Sequence, residues 1–501
     1  MRRSTHPLEA LCLIAVFAAA ILFAVSVLQV YSIPYGIDFG EGYLANASQE
    51  LIRGHNPYHS IDRPPWIVTS YPPLFPLLNG LLIAFVGPSL IPGRFIATAS
   101  LIGIIVMMVL LMRKLNATVT TSILTAGILL VFPWPVNWSQ VVRVDTLGIL
   151  LVVSGIYIWL RSDRRSDTIL SAVLFALAAF TKQSLLAAPI AVVIHALLSR
   201  DRRSLTLLLC LIVFIGGGYV LGNFLTGGEF VKHLFVYTAN MYYWGRLRAG
   251  LGEYVRMTWL LQTMAISAFI MPGTLAGPKR LLGWYYVLAQ ITLFAYGFEG
   301  SDTNYYIEPL LSAAILAGLT LDRLTLESLS LLELPRGIPS PRTIGYALIL
   351  MLFLGRFVDM GPYLIQRTNP ERIRNGMEFV RLAAGTQGDI LSEDASFTFL
   401  AGKPVLFQPY IMTLLSRTGK WDQSPFIRTI QEERYWMIIL RVDLSEPNNT
   451  EVRGGAWEAA GFDRWTDDME QAIKEHYSLY GGVDVGVGNL WYVYTPNSQN
   501  P

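Results

Sequence analysis

The sequence predicts a polytopic α-helical membrane protein that carries a small extracytoplasmic α/β domain at its C-terminus. Of 501 residues, 53% are hydrophobic and 15% are charged, whereas soluble domains carry about 25% charged residues. Charge is scarce from residue 8 to residue 360 and reaches an ordinary density from about residue 365. This shift divides the chain into a membrane domain, 1–361, and a soluble domain, 362–501, which is long enough for one small core.

Long apolar runs predict about 11 transmembrane helices, because backbone inside lipid must satisfy its own hydrogen bonds. The first run follows Arg2 and Arg3 and has no small-x-small cleavage pattern, so we expect an uncleaved helix rather than a signal peptide. The runs lie at 11–31, 94–112, 117–134, 147–160, 168–182, 184–198, 204–225, 255–275, 281–298, 306–322 and 343–361.

Basic residues between the runs set the predicted topology. If the apolar stretch 71–88 does not cross the membrane, almost all loops rich in Arg and Lys fall on the side of the N-terminus, as the positive-inside rule requires. We therefore interpret 71–88 as a juxtamembrane or re-entrant helix within a first outer loop, 32–93. The protein is expected in the plasma or inner membrane, with a cytoplasmic N-terminus and an extracytoplasmic C-terminal domain.

The C-terminal region mixes helical and strand-like patterns. Residues 371–384 predict an amphipathic helix, and three segments, 389–392, 404–407 and 435–440, predict strands. A fourth strand is predicted at 490–494. The domain is therefore expected to be α/β.

Several function classes are disfavoured by composition and motifs. A formal net charge of +2 and the lack of a basic stripe argue against a nucleic-acid partner. The sequence contains neither a zinc-type His/Cys cluster, nor a nucleotide-binding fingerprint after a strand, nor Gly-x-Ser-x-Gly. These observations argue against an ATP-driven pump and a serine hydrolase.

Acidic residues follow the first predicted helix. Asp38 and Glu41 are three residues apart, and Gly40 and Gly42 flank Glu41. A carboxylate at the lipid surface can accept the proton of an incoming hydroxyl or bind a divalent cation. Asp38 is the better candidate for the base because it is nearer the membrane plane. The alternative is that both are ordinary loop carboxylates, with Glu41 capping the next helix.

Further charged residues lie near the outer ends of later helices. Arg143 and Asp145 precede the fourth run; Asp145 either has a functional role or caps the helix. Lys182 either meets a lipid phosphate or extends to the headgroups. Asn304 and Glu308, in the loop before the tenth run, either line an outward cavity or form an interfacial cap network.

Together these features resemble the polytopic membrane glycosyltransferases of the GT-C superfamily, especially relatives of protein O-mannosyltransferases and aminoarabinose transferases. The resemblance covers most of the chain. It rests on the acidic first outer loop, the Tyr71-Pro72-Pro73-Leu74 run, the acidic site at Asp145, the Thr181-Lys182 step, the loop ending in Glu308, and the outer-domain segments LSEDASFTFLAGKPVLFQP and GKWDQSP. The spacing Asp-Phe-Gly-Glu differs from the adjacent Asp-Glu pair common in the family.

The resemblance implies transfer of a sugar from a polyprenyl-phosphate donor to a hydroxyl of a lipid, glycan or protein acceptor, with inversion at the anomeric carbon. Asp38 would be the general base. Lys182 and Arg143 would bind the donor phosphate, and Asp145 and Glu41 would orient the acceptor or a divalent cation, whose involvement stays open. Asn304 and Glu308 complete the expected substrate-binding set.

Two other function classes remain as alternatives at this point. A transporter or lipid flippase would show inverted repeats and charges deep within the spans, whereas polar features here cluster near one face. An assembly factor would use the outer domain to bind a partner and would not need the acidic residues of the loops.

Overall fold

The computed structural model describes residues 7–325, 339–365, 370–444, 464–486 and 489–499. The first part of the chain is helical. Its helices are α1 (Pro7–Tyr31), α2 (Gly40–Ile52), α3 (Leu74–Val86), α4 (Ile91–Lys114), α5 (Val119–Gly127), α6 (Pro133–Trp138), α7 (Asp145–Arg161), α8 (Arg165–Ala179), α9 (Ala187–Leu198), α10 (Ser204–Leu211), α11 (Gly218–Leu225), α12 (Glu229–Val231), α13 (Trp244–Ile270), α14 (Arg280–Ile291), α15 (Ile307–Thr325) and α16 (Pro341–Ile365).

Each of the eleven predicted apolar runs coincides with a helix or a pair of joined helices. Four are long and apolar enough to cross a bilayer by themselves: Pro7–Tyr31, Ile91–Lys114, Ser204–Leu225 and Pro341–Val358. In Ser204–Leu225, a π-helical turn joins α10 to α11. Only 11% of the most apolar part of this segment is buried within the protein. An apolar helix with so little protein cover is typical of a surface that faces lipid.

The helical bundle is packed around α15, in which almost every residue is buried. This helix contacts α5, α13, α14 and α16. At its start, the ring of Tyr306 packs against those of Trp134 and Tyr254, with ring centroids 4.6 and 5.3 Å away. The aromatic cluster fixes the loop before α15 against α6 and α13.

The stretch interpreted as a juxtamembrane helix forms α3, with 13 residues. A helix of this length extends about 20 Å, less than the roughly 30 Å hydrocarbon core of a bilayer. It packs against α2, where the amide nitrogen Nδ2 of Asn79 donates to Oγ of Ser48 at 3.0 Å. Both helices of the first loop therefore form one pair, and the juxtamembrane position of α3 stays a prediction.

The C-terminal region folds as a mixed α/β unit, as predicted. Its sheet has the order β1-β2-β4-β3, with β1 parallel to β2 and the other neighbours antiparallel. The elements are α17 (Pro370–Gly385), β1 (Asp389–Ser392), α18 (Ala395–Leu400), α19 (Pro409–Arg417), α20 (Ser424–Gln431), β2 (Tyr435–Leu440), α21 (Asp467–His476), β3 (Tyr477–Gly486) and β4 (Asn489–Pro496).

Three of the four predicted strands and the amphipathic helix are confirmed, but the strand at 404–407 is wrong. The backbone there forms a single bridge, between Phe407 and Trp66 of the first loop. The backbone N–H of Trp66 donates to the carbonyl of Leu406 at 2.8 Å, and the carbonyl of Trp66 accepts from the N–H of Gln408 at 2.9 Å. The segment is extended because it pairs with Trp66 of the first outer loop. The local sequence does not encode such a distant pairing. Conversely, β3 was not predicted, since Gly481 and Gly482 dilute its strand pattern.

The two parts of the chain share three apolar clusters among the described residues, of which one lies beside the first helix pair. Residues of α2 and α3 pack there with residues of α18 and the segment after it. The segment 324–342, in which prolines at 335, 339 and 341 predict a cytoplasmic linker, lies largely outside the described residues. The domain boundary predicted at 361/362 stays a prediction, and α16 continues to Ile365.

Candidate active site

Asp38 lies in the turn between α1 and α2. Its Oδ2 accepts hydrogen bonds from Gly40 N–H at 2.9 Å and from Nε of Arg143 at 2.8 Å, and Nη2 of Arg143 is 2.6 Å away. No hydrogen bond from the described residues reaches Oδ1. The Asp38 side chain is 23% exposed. The carboxylate is therefore held through one oxygen, and the other is available to a substrate.

Gly40 is required by this geometry. A Cβ at position 40 would lie 2.5 Å from Cζ of Arg143, closer than a side chain can approach a guanidinium. The guanidinium also lies over the Trp138 ring at 5.1 Å and donates to the Tyr71 hydroxyl at 3.4 Å. Arg143 is thus fixed on three sides and presents its charge to Asp38.

Glu41 is completely buried and forms an ion pair with Arg94 of α4. Arg94 Nε to Glu41 Oε1 is 2.8 Å, and Nη2 to Oε2 is 3.0 Å. Glu41 also accepts from the backbone N–H groups of three other residues, listed with their distances as Ile37 (2.8 Å), Asp38 (3.3 Å) and Val142 (2.9 Å). Burial raises the pKa of Glu41, but the charge and hydrogen bonds of Arg94 outweigh burial and lower it overall.

Arg94 continues this network into the backbone. It donates to the carbonyls of Val30 at 3.1 Å, Ile33 at 2.5 Å and Tyr35 at 2.7 Å. The Glu41–Arg94 pair therefore ties the end of α1 to the start of α2. The alternative that Glu41 caps the following helix does not fit this arrangement, because the N-cap is Phe39 and the local amides that donate to Glu41, those of Ile37 and Asp38, precede it.

A second group of polar side chains surrounds Lys182. Its Nζ donates to Oδ1 of Asp145 at 2.6 Å, and the same oxygen accepts from Nδ2 of Asn304 at 3.0 Å. The ammonium lies 4.4 Å from the Tyr305 ring centroid. Lys182 is 7% exposed and Asp145 1%, so Lys182 does not extend to the headgroups. Asp145 is the first residue of α7, and its side chain makes no capping hydrogen bond.

Unpaired acceptors accumulate beside the Lys182–Asp145 pair. Oδ2 of Asp145, Oδ1 of Asn304 and Oε1 of Glu308 are buried and have no hydrogen-bond partner among the described residues. Glu308 lies in the first turn of α15, one turn beyond Asn304. Buried acceptors without donors are costly, so a bound molecule with hydroxyl groups would suit these atoms.

The two groups form one continuous site. Arg143 contacts Asp38, and Asp145 follows two residues later at the start of α7. Between them lies Tyr71, whose phenol interacts electrostatically with Arg143, Asp145 and Lys182. The predicted residues Asp38, Arg143, Asp145, Lys182, Asn304 and Glu308 are therefore brought together, and Glu41 lies beneath them.

Charges around Asp38 act in opposite directions on its protonation. Burial raises the pKa of the carboxyl, Arg143 lowers it, and the neighbouring carboxylates of Glu41 and Asp302 raise it again. The net direction is upward. A carboxylate with a raised pKa is a stronger proton acceptor once it is ionised.

The described residues offer no cage for a metal ion. Within the described ranges, no group of three or more His, Cys, Asp or Glu side chains lies close enough to bind one. Glu41, one of the predicted cation ligands, is already engaged by Arg94. We therefore derive no step that uses a cation.

Three residues of the site were not identified from sequence. Arg94 could have been found as a charged residue at the start of an apolar helix, a position that is functional by default in membrane proteins. Tyr71 belonged to a recognised run but had no distinguishing spacing. Asp302 lies six residues before Glu308 in the same loop. Only its electrostatic interaction with Asp38 identifies it as a residue of the site.

Comparisons with known proteins agree with this geometry. The sequence profile of the family described as Dolichyl-phosphate-mannose-protein mannosyltransferase matches residues 70–221. This segment contains Tyr71, Arg143, Asp145 and Lys182. No curated protein matches the chain.

Solved structures share the fold over nearly the whole chain. ArnT from Cupriavidus metallidurans, bound to undecaprenyl phosphate, matches with a TM-score of 0.62 and 15% identity, covering 96% of this chain and 97% of that one. The archaeal oligosaccharyltransferase AglB from Archaeoglobus fulgidus, in complex with an inhibitory peptide and a dolichol-phosphate, matches with a TM-score of 0.56 and 10% identity, covering 97% and 75%. The chain thus has the ArnT-like fold of a multi-pass membrane protein.

A larger mycobacterial enzyme shares the fold as well. The arabinofuranosyltransferase AftD matches with a TM-score of 0.51 and 15% identity, covering 95% of this chain and 41% of that one. The segment matched by the mannosyltransferase profile and the fold shared with these enzymes confirm the resemblance found in the sequence. This chain is thus similar to the mannosyltransferase family over residues 70–221 and shares the fold of ArnT, AglB and AftD over nearly its whole length.

Proposed function

We propose that the chain transfers a sugar from a polyprenyl-phosphate donor to an acceptor hydroxyl at the extracytoplasmic face of the membrane, with inversion at the anomeric carbon. The observation that carries the proposal is the position of Asp38. Its carboxylate is held by Arg143 through one oxygen, its other oxygen receives no hydrogen bond from the part of the chain that the structure describes, and a cation, Lys182, lies in the same site.

The donor class is supported by what the compared proteins bind or are named for. The ArnT structure contains undecaprenyl phosphate and the AglB structure a dolichol-phosphate. The matching family profile is named for a dolichyl-phosphate sugar. The site here contains two cations, Arg143 and Lys182, which suit a lipid phosphate.

In the proposed reaction, Oδ1 of Asp38 accepts the proton of the acceptor hydroxyl while that oxygen attacks the anomeric carbon. The bond from this carbon to the phosphate oxygen breaks, and the departing phosphate carries the negative charge. Lys182 and Arg143 stabilise that charge in a partly dehydrated site, where such stabilisation is large. Attack opposite to the leaving phosphate inverts the anomeric carbon.

The other predicted residues receive roles that follow from their contacts. Asp145, Asn304 and Glu308 present unpaired acceptor atoms to the donor sugar. We propose that Glu41 positions the Asp38 turn rather than contacting substrate, since Arg94 and three backbone amides already occupy its carboxylate. The predicted topology, about 11 spans with the site and the C-terminal domain outside, places the reaction at the outer leaflet.

Asp38→Asn tests the base. The amide keeps the shape of the side chain but cannot accept the proton, so we expect kcat to fall about 10²- to 10⁴-fold. Purified enzyme would be assayed with polyprenyl-phosphate mannose as the first donor and native membrane lipids as acceptors, with transfer followed by mass spectrometry. Asp62→Asn, in the same loop, is the matched control and should retain activity. Full activity of Asp38→Asn would rule out this base.

Lys182→Met tests the phosphate contact. Loss of a charge-assisted hydrogen bond should raise KM for the donor about 10- to 100-fold. The pair with Asp145 is buried, so the thermal unfolding of the variant must be measured as well; Lys182→Met/Asp145→Asn avoids an unpaired carboxylate. Unchanged donor saturation in both variants would exclude Lys182 from phosphate binding. Lys232→Met, which alters an exposed lysine, is the control.

A further inference from the structure

The C-terminal domain makes closely spaced contacts with the turn that carries Asp38. Before this turn, Gly36 N–H donates to Oγ of Ser396 at 3.0 Å. After it, the hydroxyl of Tyr43 donates to the carbonyl of Glu393 at 3.1 Å and lies 3.4 Å from that of Phe407. The stretch 36–43 is thus anchored to the other domain on both sides of Asp38.

The middle of the same stretch also touches the C-terminal domain. A Cβ at position 42 would lie under 3.0 Å from backbone atoms of Ala395 and Ser396. Such atoms cannot rotate away, so Gly42 allows the two backbones to touch. The Arg464 guanidinium lies 4.7 Å from the Phe39 ring centroid and pairs with Glu393.

The contacting part of the C-terminal domain is itself rigidly held. Oδ1 of Asp394 accepts from Ser396 N–H at 2.8 Å, which caps α18, and Oγ of Ser392 donates to the Asp394 carbonyl at 2.7 Å. Ser396 is completely buried. Glu393 N–H donates to the carbonyl of Ile439 in β2 at 2.9 Å. The sheet therefore supports residues 392–396 directly.

We infer that the C-terminal domain is a positioning element for the reaction: residues 392–396 hold the 36–43 turn so that Asp38 faces Arg143 and the substrate. This inference rests on the proposed role of Asp38. It assigns a purpose to the LSEDASF segment, none of whose side chains belongs to the active site described above. Ser396 acts through the turn and is a positioning residue.

Two variants weaken this support to different degrees. Ser396→Ala removes the acceptor of the Gly36 amide, and Gly42→Ala forces the backbones apart. Thr398→Ala is the matched control for the first, because its hydroxyl is buried in the same helix and donates to the Ala395 carbonyl within that helix. Gly252→Ala is the control for the second, since a Cβ at 252 meets nothing within 4 Å.

Hydrogen exchange of the purified full chain provides the first measurement. Peptides covering 33–43 should exchange several-fold faster in Ser396→Ala and Gly42→Ala than in the wild type, while peptides from β2 and α15 stay unchanged. Both controls should match the wild type. Unchanged exchange at 33–43 in both variants would overturn the inference, whether or not the assay detects sugar transfer.

Kinetics provide the second measurement. Ser396→Ala should lower kcat about fivefold, the factor that corresponds to one neutral hydrogen bond, with KM for polyprenyl-phosphate mannose within twofold. The acidic limb of the kcat/KM profile should move to higher pH, because Asp38 loses part of the Arg143 contact that lowers its pKa. An equal loss in Thr398→Ala, or no shift of the limb, would contradict positioning. If the wild type transfers no sugar but the two variants still exchange faster at 33–43, the proposed function is refuted and the domain contact stands.

Discussion

At the scale of single residues, two nearby carboxylates of the site differ in burial and in hydrogen bonding. Asp38 is partly exposed and makes its contacts through one oxygen, whereas Glu41 is fully buried and accepts five hydrogen bonds. Opposite net pKa directions follow: upward for Asp38 and downward for Glu41. Residues only three positions apart thus lie in different environments, one partly exposed and the other buried in an ion pair.

Asp302→Asn should lower the pKa of Asp38. The carboxylate of Asp302 is one of the charges that raise this pKa, and Asn keeps the oxygen that accepts from Thr303 N–H. A base loses activity as pH falls through its pKa, so the acidic limb of the pH profile of kcat/KM should move to lower pH. Asp62→Asn should leave the limb in place. A limb that stays fixed or moves upward in Asp302→Asn would contradict the assignment of Asp38 as base.

Arg94→Met should strongly destabilise the protein. The substitution leaves Glu41 buried without its counter-ion, which typically costs about 3–5 kcal/mol, and removes the donor for three backbone carbonyls. Unfolding in detergent would measure the loss. Arg434→Met removes an exposed pair with Glu432 and should change stability little. Equal stability of Arg94→Met and wild type would show that the pair does not hold α1 and α2 together.

At the scale of secondary-structure elements, the helix pair α2–α3 supports the turn that contains Asp38. The two helices approach closely at Gly80, where an added Cβ would lie under 3.0 Å from the Ser48 carbonyl and from Cγ1 of Ile52. A backbone carbonyl inside a helix cannot shift without moving the helix. The close approach of α3 therefore fixes the position of α2, which begins two residues after Asp38.

Gly80→Ala tests this close approach. Overpacking at a fixed backbone contact typically costs about 1–3 kcal/mol, so we expect a lower unfolding temperature and weaker transfer. Gly355→Ala in α16 is the control, because a Cβ there meets nothing within 4 Å and alanine is the better helix former. The two variants should differ in the sign of the stability change. A stabilised Gly80→Ala would mean that the helices can separate without penalty.

At the scale of the whole molecule, the site lies where the helical bundle meets the C-terminal domain. Asp38, Arg143 and Lys182 are near ends of α1, α7 and α8, and the Asp38 turn contacts α18 of the C-terminal domain. By the predicted topology, these helix ends face outward and the loop after α7 faces the cytoplasm. That sidedness is accessible to labelling.

Cysteine labelling in intact cells tests the sidedness. In a background that lacks Cys12 and Cys210, Tyr480→Cys and Asp163→Cys place single thiols at positions that are 74% and 94% exposed. A membrane-impermeant maleimide should label Tyr480→Cys directly and Asp163→Cys only after permeabilisation. The reverse pattern would place the site at the cytoplasmic face and remove the outer-leaflet proposal.

The sequence by itself determined the helices of the membrane domain, three of the four strands, and most of the charged residues that the structure brings together at the candidate site. These features follow from local rules: apolar runs must be helical in lipid, and ionisable groups near helix ends in a membrane are rare and informative. Asp38, Arg143, Asp145 and Lys182 were therefore identifiable without coordinates.

Only the tertiary structure decided which of these residues are buried and with which partners they pair. Burial of Glu41 depends on Arg94, 53 positions away, and the extended backbone at 404–407 depends on Trp66 of the other domain. The hydrogen bond between Gly36 and Ser396 spans 360 positions. Contacts at such separations depend on the path of the whole chain, and no pattern within a sequence window records them.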